Sequence, residues 1–395
     1  MNSSIYQNDL RRQIVEKADI VSIISEYVKL EKKGANYIGL CPFHNDTNPS
    51  MSVSPSKKVF KCFSCNTGGD VITFVSKIKN ISIRDAMRIV GDSCGIKVEV
   101  TKKEIEHQKN AKYYEIMMEA SKFYHFYLLN SLDAKDANAY LFDRGLEKDI
   151  INTFNIGVSA SDNDLFKILT NKKYIPLDLI EVGLIRSNKD SYVDVFKNRI
   201  MFPLEDLDGN VVGFSGRRYK KDDNDSKYLN TFDTVIFKKG QILYNYHRAF
   251  NDIKANNCVY LFEGFMDVIA AYRADVKNSV ASMGTALTFD QIKALKRITN
   301  NVIVCYDSDE PGTNATLKAI KELNSMDVNV SVVRIPSGKD PDEYIKANGK
   351  DALKNILLNK KVNAIDFVYF YYANKCNFND LSSKELLKNN IFEIK

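Results

Sequence analysis

Cys41, His44, Cys62 and Cys65 fall into the spacing C-x2-H-x17-C-x2-C, set in the segments CPFHND and CFSCNTGG. Two intervening residues let one tight turn aim both members of a pair at a single point. Four sulfur and nitrogen donors complete the tetrahedron that a structural zinc prefers. A closed shell leaves no position for water, so one structural Zn2+ is expected, holding shape rather than doing chemistry. Around the quartet, short β-like stretches (YIGL, MSVSP, KKVFKCF) read as strands carrying paired ligands. Thr67-Gly68-Gly69-Asp70 closes them, and VITFVSKIKN and ISIRDAMRIVGDSCG read as helices. Upstream, Leu10, Ile14, Val15, Ala18, Val21, Ile24 and Val28 recur close to helical spacing. The first hundred residues thus read as one zinc-ribbon unit with helices.

At 395 residues the chain has material for about two to four domains. Its 44% hydrophobic and 27% charged residues are ordinary for a soluble globular protein. No apolar run approaches the ~20 residues of a membrane span, and the first twenty residues lack a signal-peptide core. No membrane association is expected. Beyond the zinc pattern lie Cys94, Cys258, Cys305 and Cys376, of which Cys258 and Cys305 sit in apolar runs and read as small core residues. A reducing, cytoplasmic location fits this usage. The net charge of +6 supports nucleic-acid binding only weakly.

Residues 101–112 are polar, without an aromatic anchor, and read as a linker or an exposed helix start. Tyr113 through Leu129 has the pattern of an aromatic-rich amphipathic helix. FKNRIMFPLEDLDGNVVGFSGRRY reads as two strands turning at Asp208-Gly209. From 256 to 336, the apolar runs CVYLFEG, NSVASMG, NNVIVCYDSD and VNVSVVRIP alternate with plausible helices, which predicts a parallel α/β sheet. Past 350 the chain reads as helical, and its run FVYFYY reads as core or interface.

Acidic residues follow the apolar runs of that sheet. Glu263 and Asp267 lie in LFEGFMD, Asp307 and Asp309 in CYDSDEPG, and Asp340 and Asp342 in KDPDEY. Carboxyl ends of parallel strands open on one edge, so these carboxylates are expected to converge there. Convergence without cations is costly, because like charges raise one another's pKa. Two or more Mg2+ or Mn2+ ions would offset that cost and could serve phosphoryl transfer. Gly264 and Gly312 would allow close turns, and Pro311 suits a first helical turn.

The zinc pattern, KNRIMFPLEDLDGNVVGFSGR, SKYLN, EGFMD, the D-x-D and DPDE occur in this order between about residues 5 and 345, and together resemble the DnaG-type bacterial replicative primases. The resemblance implies a zinc-binding domain over 1–100, a linker over 101–112, a basic N-terminal subdomain of an RNA polymerase domain over 113–245, a TOPRIM catalytic subdomain over 246–350 and an incomplete helical segment over 351–395. It implies DNA-templated synthesis of short RNA primers from ribonucleoside triphosphates on single-stranded DNA. Glu263, Asp307 and Asp309 would be catalytic, with Asp267, Asp340 and Asp342 completing the metal and nucleotide site. Arg144, Asn198, Arg199, Arg217, Lys227, Tyr228 and Lys239 would hold template and nucleotide phosphates. Arg218 and Lys238 read equally well as solvated charge. A monomer is expected, with a replicative helicase as partner through a further C-terminal domain that this chain ends before. Ser308 and Glu310 depart from the family's usual glycine and basic residue. A non-catalytic single-stranded DNA binder on the same fold, or a nuclease, stays open as an alternative.

Overall fold

The computed structural model describes residues 3–79, 81–98, 102–189, 191–220, 226–284, 286–336 and 340–392. The chain divides into two compact units, 1–106 and 107–395. The division falls inside a helix, Lys102–Asn130, so the segment read as a linker or an exposed helix start is helical from residue 102.

The first unit holds five antiparallel strands in sequential order: β1 (Glu31–Lys33), β2 (Asn36–Gly39), β3 (Met51–Ser54), β4 (Val59–Cys62) and β5 (Gly68–Gly69). Alternation along β3 buries Met51 and Val53 and leaves Ser52 and Ser54 half-buried. Helices Val71–Lys79 and Ile83–Ser93 complete the core, where Phe60 and Phe74 meet edge-on at 5.2 Å. Asp70 is held at the head of the first of these helices by Arg11, whose Nε and Nη2 donate to its two oxygens at 2.9 and 3.0 Å. Strand β1 has all three residues exposed, and no apolar alternation marks it in the sequence.

The second unit carries a hairpin, β7 (Ile185–Asn188) with β8 (Ser191–Asp194), and two larger sheets. The antiparallel sheet runs β11 (Tyr228–Asn230), β10 (Val211–Arg218), β9 (Arg199–Glu205), β6 (Gly157–Val158). Strands β9 and β10 form the expected pair. Their turn is tied by Asp206, whose Oδ1 accepts from the Asp208 and Asn210 amides at 2.9 Å each.

The other sheet has the order β13 (Ser279–Ala281), β12 (Val259–Phe262), β14 (Asn301–Val304), β15 (Asn329–Val332), β16 (Val362–Asn363). The first four are parallel, as the alternating runs predict. Strand β16 adds antiparallel, so the sheet is mixed at that edge. At the other edge Tyr244 bridges to Ala281. Side chains alternate through the sheet: Val259, Leu261, Val302 and Val304 join one core, while Tyr260, Phe262 and Ile303 join another that extends to Ile200 and Phe202 of β9. Of the FVYFYY run, Phe367 and Val368 are buried, but Tyr369 and Phe370 are 43% and 59% exposed.

Strand β6 passes close to the long helix. A Cβ at Gly157 would meet the Tyr124 carbonyl carbon at 2.4 Å and the His125 nitrogen at 2.7 Å. Backbone cannot yield as a side chain does. Gly157→Ala is therefore expected to destabilise the protein by about 1–3 kcal/mol, read as a lower urea midpoint at unchanged slope.

Candidate functional site

The zinc-type quartet forms at the β-ribbon. The ligand atoms of Cys41, His44, Cys62 and Cys65 all lie within 4.8 Å of one another. Cys41 Sγ and Cys65 Sγ are 3.8 Å apart, the separation of about 3.8 Å that two sulfurs take at ~2.3 Å from a tetrahedral centre. His44 turns Nδ1 toward Cys62 Sγ (4.0 Å) and Nε2 toward Asp46 Oδ1 (3.6 Å). Asp46 Oδ2 in turn accepts from the Cys41 amide at 2.7 Å and Ser50 Oγ at 2.6 Å. A carboxylate therefore stands on the far side of the histidine ring, where metal sites place the group that orients it. The hydroxyl and amide hold the Asp46 carboxyl below the usual carboxylate range. The thiols are uneven: burial pushes Cys41 up to about 12, whereas, against burial, the contacts of Cys62 Sγ with Ser50 Oγ and the Cys65 amide draw Cys62 down to about 6. Asp46 and Ser50 were not singled out in the sequence. The one signal is an Asp two residues past the histidine.

The acidic site lies in the second unit, where strand order reverses. The chain leaves β12, crosses to β13 on one side, then returns to place β14 on the other. A crevice opens between the carboxyl ends of β12 and β14. Glu263 directly follows β12, and Asp307 lies three residues past β14. Burial raises the Glu263 carboxyl, and the charge on Asp309 raises it further. Burial pushes Asp307 up to about 6, helped by Glu263, Asp340, Asp309 and Glu343. Asp267 is 7% exposed and is raised well above the carboxylate range by burial, then by Asp307 and Asp340. Five of the six expected carboxylates thus sense one another, with Glu343 as an addition. They are less tightly gathered than the zinc-type quartet, which among the described residues is the one group of three or more His, Cys, Asp or Glu close enough to hold an ion.

Three of these acids have a second task. Asp309 caps helix Glu310–Asn324, its Oδ1 accepting from the Gly312 amide at 2.8 Å. Asp340 caps helix Pro341–Asn348 through the Glu343 amide at 2.6 Å. Asp267 Oδ2 accepts from the Gly264 amide at 3.2 Å at the start of helix Phe265–Arg273. Each of these caps engages one carboxylate oxygen. Gly312 makes the arrangement possible, since a Cβ there would meet the Asp307 carbonyl oxygen at 2.2 Å.

Asp342 departs from the expectation. It is buried and ion-paired with Arg144 Nη2, so an expected metal ligand and an expected phosphate ligand neutralise each other. Arg199 lies inside the sheet. It is 2% exposed, and its Nη1 donates to the Gly216 and Ser226 carbonyls at 3.0 Å each. It braces backbone instead of facing solvent, because β9 runs through the core. Arg217 is buried between two tyrosines, its Nε donating to Tyr140 Oη at 2.7 Å and its Nη1 to Tyr228 Oη. Tyr228 stands opposite Arg217 in the β10–β11 register and packs edge-on against Phe265 at 5.7 Å. Lys227 is exposed, with Nζ 5.8 Å from the Tyr228 ring centroid. Lys239 is partly exposed at the start of a 3-10 turn. Asn198 adopts a left-handed conformation (φ 51°) just before β9. Tyr140 was missed. Its position four residues before Arg144 is the available sequence signal.

The fold and site define a class: a zinc-ribbon protein that carries an acidic, Toprim-like sheet. Residues 6–106 match the CHC2 zinc finger family, 123–250 the DNA primase catalytic core N-terminal domain, and 260–345 the Toprim-like family. The chain is 37% identical over 393 residues to the DNA primase of Staphylococcus epidermidis, covering 97% of this chain and 65% of that protein. It is 39% identical to that of Clostridium acetobutylicum, covering 93% and 61%. It thus spans under two thirds of these relatives' length. The crystal structure of the zinc-binding and RNA polymerase domains of Aquifex aeolicus primase aligns with a TM-score of 0.62 at 34% identity, over 97% of this chain and 90% of that one. A structure of a DnaG primase catalytic domain bound to single-stranded DNA aligns at 0.64 with 31% identity, over 71% and 89%. The chain belongs to the DnaG-type bacterial DNA primase family. Its Cys/His quartet is a zinc site of the CHC2 kind, and its Toprim-like sheet is of a metal-binding type. No helix among the described residues is long and apolar enough to cross a membrane.

Two outcomes follow from this geometry. Asp46→Asn is expected to weaken zinc binding about ten- to hundredfold, measured by competition with a chromophoric chelator. Asp307→Asn is expected to stabilise the metal-free protein at pH 7.5. The folded carboxyl is raised, so its charged form costs stability above about pH 6, and the cost fades as pH falls through that value. The gain should be about 1 kcal/mol or less, since Asp307 is partly open to water. It should shrink at pH 4.5, as read from melting temperatures of both proteins.

Proposed function

We propose that this chain is a DNA primase, a DNA-directed RNA polymerase that makes short RNA primers on single-stranded DNA. The observation that carries this reading is the set of mutually raised carboxylates at the β12–β14 crevice, within a chain of this family. Two or more divalent ions, Mg2+ or Mn2+, would be held by Glu263, Asp307 and Asp309, with Asp267 and Asp340 beside them. Held by these residues, such ions would supply positive charge for phosphoryl transfer and would offset the charge of a leaving pyrophosphate. The donor set fits hard cations, because carboxylates that repel one another gain most from a shared positive charge.

The chain's own residues set the rest. Each capping bond holds Asp267, Asp309 and Asp340 by one oxygen. Glu263, raised by burial, is suited to take a proton from the 3′-hydroxyl of a primer nucleotide as that hydroxyl attacks the next α-phosphate. Lys227, exposed, and Lys239, partly exposed, would be cations of the expected groove. Arg144 becomes available to phosphate when Asp342 releases it. Arg199, Arg217 and Tyr228 shape the groove wall. A replicative helicase is the expected protein partner.

The test is template-dependent incorporation of labelled ribonucleotide by the purified chain with Mg2+. Asp307→Ala combined with Asp309→Ala is expected to reduce incorporation by at least about 10²-fold while bound zinc stays stoichiometric. Primer synthesis by that double variant at the wild-type rate would overturn the assignment, and DNA binding without incorporation by the parent chain would favour the non-catalytic alternative.

A further inference from the structure

The four donors of the zinc site arrive on two separate pieces of chain. Cys41 and His44 lie in the loop between β2 and β3, while Cys62 ends β4 and Cys65 lies in the turn that follows. Ser50, the last residue of the first loop, touches both pieces. Its carbonyl accepts from the Phe63 amide at 3.0 Å, inside the second turn. Its hydroxyl donates to Asp46 Oδ2 at 2.6 Å and stands 3.3 Å from Cys62 Sγ. Asp46 in turn divides the work of its two oxygens. Oδ2 accepts from the Cys41 amide at 2.7 Å, from the Ser50 hydroxyl, and from the Ser50 amide at 3.3 Å. Oδ1 is left facing His44 Nε2 at 3.6 Å, just beyond hydrogen-bond reach.

We infer that Ser50 is a positioning residue of the zinc site: its hydroxyl fixes Oδ2 of Asp46 and so aims Oδ1 at the ring of His44. Ser50 gives the ion no donor of its own, because the quartet already supplies four. A carboxylate held by one short bond can swing about it. Held from the Cys41 amide and from the Ser50 hydroxyl together, it keeps one orientation. Both anchors belong to the quartet's own scaffold, Cys41 as a ligand residue and Ser50 through its bond to the turn that carries Cys65. With Nδ1, the nitrogen on the Cys62 side, given to the ion, the imidazole proton sits on Nε2 and faces the aimed oxygen. The group that orients the histidine is thus in place before the ion arrives, which lowers the ordering cost of binding.

The inference rests on the quartet binding zinc, and the test separates the two. Zn2+ affinity of the full chain is measured by competition with a chromophoric chelator, and the visible bands of bound Co2+ report the symmetry of the four donors. Ser50→Ala is expected to weaken Zn2+ binding about tenfold. It should also shift the Co2+ bands in the same sense as Asp46→Ala, since both changes release the imidazole. Ser50→Thr, which keeps the hydroxyl, should restore affinity and bands. In an Asp46→Ala background, Ser50→Ala should cost less than about two-fold, because the carboxylate it holds is gone. Parent chain that binds neither ion at the quartet would sink the zinc reading and this inference together. Binding of both ions by the parent, with parent-like affinity and bands in Ser50→Ala or an undiminished loss in the Asp46→Ala background, would overturn the inference alone.

Discussion

Repulsion among carboxylates at a reversal of strand order is the constraint that organises this protein. A parallel sheet sends its carboxyl ends to one edge, and the step from β12 to β14 leaves a crevice there. Placing Glu263, Asp267 and Asp307 at that crevice raises all three carboxyls. A fold that must tolerate such a site has to supply its stability elsewhere. Here the apolar alternation of β12 and β14 buries both faces of the sheet, and helix N-termini take up charge from Asp267, Asp309 and Asp340.

The two metal-type sites answer the same problem differently. At the ribbon, four donors converge tightly, and Asp46, hydrogen-bonded to the Cys41 amide and Ser50, stands behind the histidine. That arrangement suits an ion held for shape. The acidic site is looser, its members coupled through space while several also serve as caps. Looseness is useful where ions must admit and release phosphate oxygens. The same chemistry of shared charge appears once more in the pairing of Arg144 with Asp342, where a cation is supplied by the protein itself.

Much of this was legible from residues alone. Paired spacings gave the zinc quartet because ligation geometry is local. Apolar runs gave the parallel strands because burial on both faces leaves no polar alternation to confuse the pattern. What was not legible depends on tertiary direction. An arginine in the sequence carries charge, but only the packing of β9 shows that Arg199 spends its guanidinium on backbone carbonyls. Pro311 was read as a first helical turn, but the matching signal of Pro341 directly after Asp340, and the capping role of both aspartates, were overshadowed by the acidic pattern. Strand β16 is two exposed residues long, and nothing in Val362-Asn363 announces it.

That short strand has a consequence for the behaviour of the molecule in a crowded cell. A parallel sheet with free flanks offers rows of unsatisfied amides and carbonyls to any other extended chain, an invitation to fibrous association. Here one flank is occupied by β16 running the opposite way, and the other is met by Tyr244 at Ala281. The lateral borders of the sheet are blunted at both sides, and the acidic rim can stay open to solvent without the sheet itself becoming a template for polymerising its neighbours.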